Sequence, residues 1–288
     1  MRFDETPRPS STIQLPVHAV QGNRVQRRSD AVATEEPMEI RLIAGSEQRT
    51  IAVTMRTPGH DFELAAGFLF SEGVIAHHND VARISYCIDP WLDPEQHYNI
   101  VNVTLRSAAL PDLTSLERYF STTSACGVCG KASLESLQLR LHPAPAPFPG
   151  ALVDAATLYQ LPTRLRVAQS LFAATGGLHA AGLFDTHGEL IALREDIGRH
   201  NAMDKLVGWA LLEGKLPLDN AIVMVSGRAS FELLQKSIAA RIPIFCSVSA
   251  PSSLAADVAR TFGITLVCFL RHDRFNVYTG FERLRLSS

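Results

Sequence analysis

Apolar and polar positions begin to alternate regularly near Glu36, and from there the pattern predicts most of the chain's elements. Met38–Ile43 and Thr50–Met55 read as two strands joined by a turn at Gly45-Ser46-Glu47. Pro58-Gly59-His60-Asp61 follows, with Asp61 as the expected N-cap of a helix carrying Phe62, Leu64, Ala65, Phe68 and Leu69 and stopping near Gly73. Further strands are expected at 81–88 and 98–105. The second half alternates strands and helices. Strands at 181–185 and 190–193 meet across Thr186-His187-Gly188, and a helix from about Asn201 to Leu212 comes next. Ala221–Val225 is an uninterrupted apolar run, as expected of a strand covered on both faces. A helix (229–240), a strand (243–248), a helix (254–262) and a strand (264–270) complete the series. Consecutive βαβ units imply parallel strands with helices packed on them, and ligands bind at the carboxyl ends of such strands.

Residues 1–33 show no sustained period and read as a flexible arm. The run His142-Pro143-Ala144-Pro145-Ala146-Pro147-Phe148-Pro149-Gly150 is the clearest linker signal in the chain. The expected organisation is therefore an arm (1–33), an α+β domain (34–148) and an α/β domain (149–288). With 288 residues there is room for two cores. A net charge of -2 gives no reason to expect a general binder of nucleic acid or membrane surfaces. No run of about 18 apolar residues marks a membrane span, and the N-terminus lacks the apolar core of a secretory signal. The five cysteines are odd in number and scattered except for one pair, so a reducing cytoplasm fits better than a disulfide framework.

That pair lies in Ser124-Ala125-Cys126-Gly127-Val128-Cys129-Gly130-Lys131, within a stretch of no regular period that reads as a loop. Sulfur chemistry needs a thiolate, and a free cysteine has a pKa of about 8.5. Lys131 can lower that value, the glycines keep the sulfurs accessible, and the spacing lets one thiol resolve a persulfide on the other. The spacing also leaves open a structural pair, half of a zinc site and a thioredoxin-type redox site. Against these stand the polar surroundings, the lack of a second Cys-x-x-Cys, and the absence of a flanking βαβ unit. Cys87, Cys246 and Cys268 sit in apolar strand patterns and read as small core residues.

Several loops of the second half are more polar than a connection requires. Thr175-Gly176-Gly177-Leu178-His179 offers backbone N–H groups beside a histidine, although His179 also fits a structural role. Asp196, Arg199, His200 and Asn201 lie where a strand passes into a helix, and Asp196 fits a helix cap equally well. Ser226-Gly227-Arg228 follows the buried strand and opens a helix, which suits an anion such as phosphate. Phe269-Leu270-Arg271-His272-Asp273-Arg274 ends the final strand with two arginines for phosphate and an aromatic face for a base. Neither a Walker A nor a G-x-G-x-x-G motif occurs. Together these loops point to one nucleotide-sized anionic ligand.

At these residues the chain resembles the formate dehydrogenase accessory sulfurtransferase (FdhD/NarQ) family. The likeness rests on Cys126–Lys131, Thr175–Ala181, Glu195–Lys205 and Ser226–Glu232, with Pro58–Asp61 and Phe68–Gly73 in the first half, and it covers about residue 35 to the end. The resemblance implies a sulfur carrier that takes persulfide sulfur from a cysteine desulfurase. It passes that sulfur to the bis-guanine-dinucleotide molybdenum cofactor before insertion into formate dehydrogenase. It implies Cys126 as carrier, Cys129 as assisting partner, 269–274 as a cofactor-binding stretch and a homodimer. It also implies a cytidine-deaminase-like, three-layer α/β C-terminal domain. Zinc deaminases use His-x-Glu followed by Pro-Cys-x-x-Cys. Here Ala181 stands where that Glu would be and Ala125 where the Pro would be, so no zinc is expected. The rival reading is a chaperone of the cofactor whose cysteines are structural or bind zinc.

Overall fold

The computed structural model describes residues 10–87, 89, 94–113 and 153–286. The cysteine loop and the proline-rich segment that carries the expected domain boundary lie outside the described residues. Strands β1 (Thr12–Gln21) and β2 (Arg24–Ala33) form an antiparallel hairpin. For residues 12–33 the expectation of a flexible arm is corrected here; residues 1–9 lie outside the described residues. The alternation Ile13-Gln14-Leu15-Pro16-Val17-His18-Ala19 is a strand pattern, which Pro16 and the polar second strand disguise. The Gly22 turn, at φ +59°, closes the hairpin.

Strands β3 (Glu36–Ala44), β4 (Glu47–Arg56), β5 (Val81–Tyr86) and β6 (Ile100–Leu105) make a four-stranded sheet in the order β4-β3-β6-β5. Met38, Ile40 and Leu42 point to one face of it and are fully buried. They pack with Leu64, Ala65 and Leu69 of helix α1 (Asp61–Ser71). Asp61 is not the N-cap of that helix. His60 takes the cap position in a left-handed conformation, φ 57°, and Asp61 begins the first turn. The Asp61 carboxylate is instead held by the fully buried Arg56, at 3.2 Å and 3.1 Å.

The second half is a six-stranded mixed sheet in the order β13-β12-β11-β10-β8-β9. It contains β8 (His179–Phe184), β9 (Leu190–Asp196), β10 (Ile222–Val225), β11 (Ile244–Ser247), β12 (Thr265–Cys268) and β13 (Asn276–Thr279). β10, β11 and β12 are parallel, as their βαβ spacing requires. A short pair, β7 (Val153–Asp154) with β14 (Leu284–Arg285), ties the ends of this half together.

Helices cover both faces of the large sheet. Ile222, Met224, Ile244 and Cys246 face α2 (Ala155–Ala168), whose Leu158, Leu161 and Leu165 are buried. Val223, Val225, Phe245 and Leu266 face α4 (Arg199–Leu212), α5 (Phe231–Ala239) and α6 (Ser253–Thr261). A short helix α3 (Ser170–Thr175) precedes β8. Cys246 and Cys268 are fully buried core residues. Burial pushes both thiols up, that of Cys268 to about 12, so they are not nucleophiles. Cys87 is only half-buried, 3.9 Å from an Arg41 guanidinium nitrogen, and is not a full core residue.

The two halves join where α1 crosses α4. A Cβ on Gly67 would stand 1.9 Å from the Asp204 carbonyl oxygen, and one on Gly208 would stand 1.8 Å from that of Glu63. Only glycine at both positions lets the two backbones touch. Lys236 on α5 reaches Asp204 at 2.8 Å, and Ser71 on α1 donates to the same carboxylate at 3.1 Å. Among the described residues no helix is long and apolar enough to cross a membrane.

Candidate functional site

The parallel strands place three carboxyl ends on one edge of the large sheet. After β10 comes Ser226-Gly227-Arg228, after β11 Val248-Ser249, and after β12 Phe269–Arg274. β8 and β9 are antiparallel neighbours with His179 opposite Asp196, so the start of β8 and the end of β9 reach the same edge. The helices that follow β9, β10 and β11 all begin there. Ser252 caps α6 through its Oγ, which accepts from Ala255 N–H at 3.2 Å. The other two N-termini, at Gly198 and Ser230, have no side-chain cap. Their first N–H groups and dipole ends are suited to a negative group.

Arg199 and His179 flank Gly227. A Cβ on Gly227 would lie 3.5 Å from both the Arg199 Cδ and the His179 Nδ1. The Arg199 Nε is buried and has no hydrogen-bond partner among the described residues. A buried guanidinium N–H left unpaired costs free energy, so the position fits an anionic acceptor. His179 is half-buried. Burial and the adjacent positive charges of Arg199 and His200 lower its pKa despite an opposing pull from Asp196, which favours a neutral imidazole. The His200 Nε2 lies 2.9 Å from a Glu232 carboxylate oxygen and 3.2 Å from Ser230 Oγ. The hydrogen bond with His200 holds the Glu232 carboxyl below its ordinary range.

Asp196 and Asn201 stand behind this surface, with their polar atoms engaged inside the protein. Asp196 pairs with Lys205 at 2.7 Å and accepts from the N–H groups of Thr57 (3.1 Å) and Gly198 (2.8 Å). Asn201 donates to the Met55 carbonyl at 2.7 Å and to Asp196 at 3.0 Å. Both fasten the first half of the chain beneath the edge. Ser226 Oγ accepts from the Ala180 N–H at 2.9 Å and holds β10 to β8.

The final strand ends in a constrained turn. Phe269 adopts a left-handed φ of 53°, its N–H bonds the Ser249 carbonyl at 3.1 Å, and its ring stays 40% exposed. Holding a bulky residue in that region has a conformational cost, and such outliers cluster at ligand sites. Leu270 is buried in the core, whereas Arg271, His272, Asp273 and Arg274 are exposed. Thr175 and Gly176 end α3, with Gly176 at φ +71°. The Glu195 carboxylate accepts from the N–H groups of Leu171 (3.0 Å) and Phe172 (2.8 Å) at the start of that helix. Sequence reasoning missed Ser249 and Glu232. Parallel order alone places the end of β11 between the other two, so Ser249 was legible in principle. Glu232 is a surface position on a helix, and only the fold brings it to His200.

The arrangement defines a mixed α/β protein with an anion-suited edge, built from loops that a buried polar network holds in place. Among known proteins, the FdhD/NarQ family model matches residues 33–285, and the chain belongs to that family. Sulfur carrier protein FdhD of Streptomyces coelicolor is 50% identical over 268 residues, covering 93% of each chain. Sulfur carrier protein FdhD of Mycobacterium tuberculosis is 48% identical over 277 residues, covering 95% of this chain and 99% of that one. The crystal structure of a protein assigned as a formate dehydrogenase accessory protein from Desulfotalea psychrophila superposes with a TM-score of 0.72. It is 26% identical and covers 97% of this chain and all of its own.

Proposed function

We propose that this protein is a sulfur carrier in formate dehydrogenase maturation and that Cys126 bears the sulfur. Its membership of the FdhD/NarQ family over residues 33–285, with Cys126 and Cys129 both present, carries the reading. In the loading step the Cys126 thiolate attacks the outer sulfur of a cysteine desulfurase persulfide. A new S–S bond forms on Cys126 and the donor cysteine leaves as thiolate. In the release step the Cys129 thiolate attacks the Cys126 sulfur. The terminal sulfur departs as sulfide, and an intramolecular disulfide remains for a thiol reductant to reopen.

The acceptor is proposed to be the bis-guanine-dinucleotide molybdenum cofactor, bound as substrate, in a cytoplasmic protein whose C-terminal half has a cytidine-deaminase-like fold. The strand-end edge supports this assignment. Arg199 with its unpaired Nε, the uncapped N-termini at Gly198 and Ser230, and the exposed Arg228, Arg271 and Arg274 fit diphosphate groups. The Phe269 ring offers a base a stacking face.

Incubation with a cysteine desulfurase and cysteine, followed by mass spectrometry of the peptide containing Cys126, tests the reading. The expected adduct is one sulfur atom, ~32 Da, absent from Cys126→Ala. Stoichiometric zinc on the cysteines without an adduct would instead make the protein a cofactor chaperone.

A further inference from the structure

Two serines open helices on the strand-end edge, and their side chains behave differently. Both have the extended backbone of an N-cap, with φ -82° and ψ 159° at Ser252 and φ -104° and ψ 164° at Ser230. Ser252 accepts from the Ala255 N–H and caps α6, as serine commonly does. Ser230 makes no capping bond to α5. The cause lies on α4. The His200 Nε2 is 3.2 Å from Ser230 Oγ and 2.9 Å from a Glu232 carboxylate oxygen. The hydrogen bond with His200, then the charges of His200, Lys236 and Arg199, hold Glu232 below its ordinary range, so its carboxylate is ionised at neutral pH. A lone pair on Nε2 would face that negative charge, so Nε2 carries the proton and donates. Ser230 Oγ takes the longer arm of this bond and is held away from the first N–H groups of its own helix.

This arrangement works against stability. His200 and Glu232 are 31% and 60% exposed, and an ion pair that open contributes little. An unused serine cap leaves a helix start without one of its best side-chain partners. The open start of α5 also lies beside Arg199, whose buried Nε has no hydrogen-bond partner among the described residues. Arg199 acts on the Glu232 carboxylate, and its Cδ would stand 3.5 Å from a Cβ on Gly227 in the loop that leads into α5. Free helix N–H groups and an unpaired guanidinium N–H thus converge on one place.

We infer that His200 is a positioning residue for the anionic ligand of this edge: it holds Ser230 Oγ off the N-terminus of α5, so that a phosphate takes the N–H groups the serine would otherwise occupy. The inference rests on the reading of the edge as a diphosphate site and deepens it. Without His200, Ser230 turns onto its own helix and competes with the ligand with the strength of an ordinary serine cap. His200 acts through Ser230, so the two residues are coupled in ligand binding.

Isothermal titration calorimetry of the full chain with GDP, the nucleotide end of the proposed cofactor, tests this through a double-mutant cycle. Ser230→Ala alone leaves the affinity within ~2-fold of wild type, because the serine is already held aside. His200→Ala weakens binding by ~3–10-fold or more, and adding Ser230→Ala to it recovers ~3–10-fold, the competition of one serine cap. His200→Phe, which keeps a ring but has no Nε2 donor, repeats the cycle with less loss of packing. Circular dichroism establishes that each variant is folded. Unchanged GDP affinity in both His200 variants, or a Ser230→Ala effect equal with and without His200, would overturn the inference and leave the diphosphate site standing. A wild type that does not bind GDP would overturn that site and the inference together.

Discussion

The six-stranded sheet and the N-terminal hairpin are both β structure, but opposite means hold them. The sheet's central strands are buried along their whole length, and helices cover both faces. The hairpin contributes almost nothing to a core and depends on its root, where Ser11 Oγ donates to the Pro58 carbonyl and β2 touches α3. Burial decides how each region responds to change. In the sheet and its supports, a side chain is fixed by neighbours far away in sequence. In the hairpin, away from its root, the neighbours are mainly those across the ladder.

Substitutions can sharpen or break this contrast. The largest effect is expected for Lys205→Met, which leaves the fully buried Asp196 carboxylate without its ammonium partner. Urea denaturation should show a loss of ~3–5 kcal/mol, as for other broken buried pairs. A loss below ~1 kcal/mol would mean that the network beneath the edge is not supporting it. Met224→Ala opens a cavity between β10 and α2, and ~2–5 kcal/mol is expected in the same measurement.

Next comes Glu63, whose carboxylate accepts from Arg194 at 2.7 Å. Burial raises its pKa, but the hydrogen bonds from Arg194 and His60 outweigh burial and hold the group below its ordinary value of 4.5. A depressed carboxyl stabilises the fold above its unfolded pKa and loses that contribution as pH falls through the folded value. Glu63→Gln should therefore lower the melting temperature at pH 7, and the gap from wild type should close toward pH 3. A gap that widens in acid would reverse the sign and refute the pairing. The smallest effect is expected for Val25→Thr at the hairpin tip, where the side chain is 64% exposed. Its stability should remain within ~0.5 kcal/mol of wild type. A larger loss would show that the hairpin is covered after all.

Sequence pattern located the run of elements from β8 to β12, but not α2, α3, β13 or the short β7–β14 pair. Ala221–Val225 and the strands after it are short apolar runs separated by amphipathic helices, and such signals are local. The candidate edge followed from them, since parallel order brings 226–228 and 269–274 to one side. Harder to read were His60, which takes the cap position that Asp61's side chain suggests, and Pro16, which masks a strand. Glu232 was invisible as a partner for His200, because nothing along the chain links a helical surface carboxylate to a residue on another helix.

The chain's own order of residues determined the βαβ alternation, the ends of the parallel strands and the presence of Cys126 and Cys129, because these depend on neighbours or on identity alone. Tertiary structure decided which polar residues face the edge and which stand behind it. Asp196 and Thr57, 139 positions apart, meet through one hydrogen bond, and Gly67 and Gly208 matter only because two backbones cross there. Contacts between distant segments exist only after the chain has paid the entropy of closing the loop between them. No local pattern encodes them, and the packed fold alone brings them together.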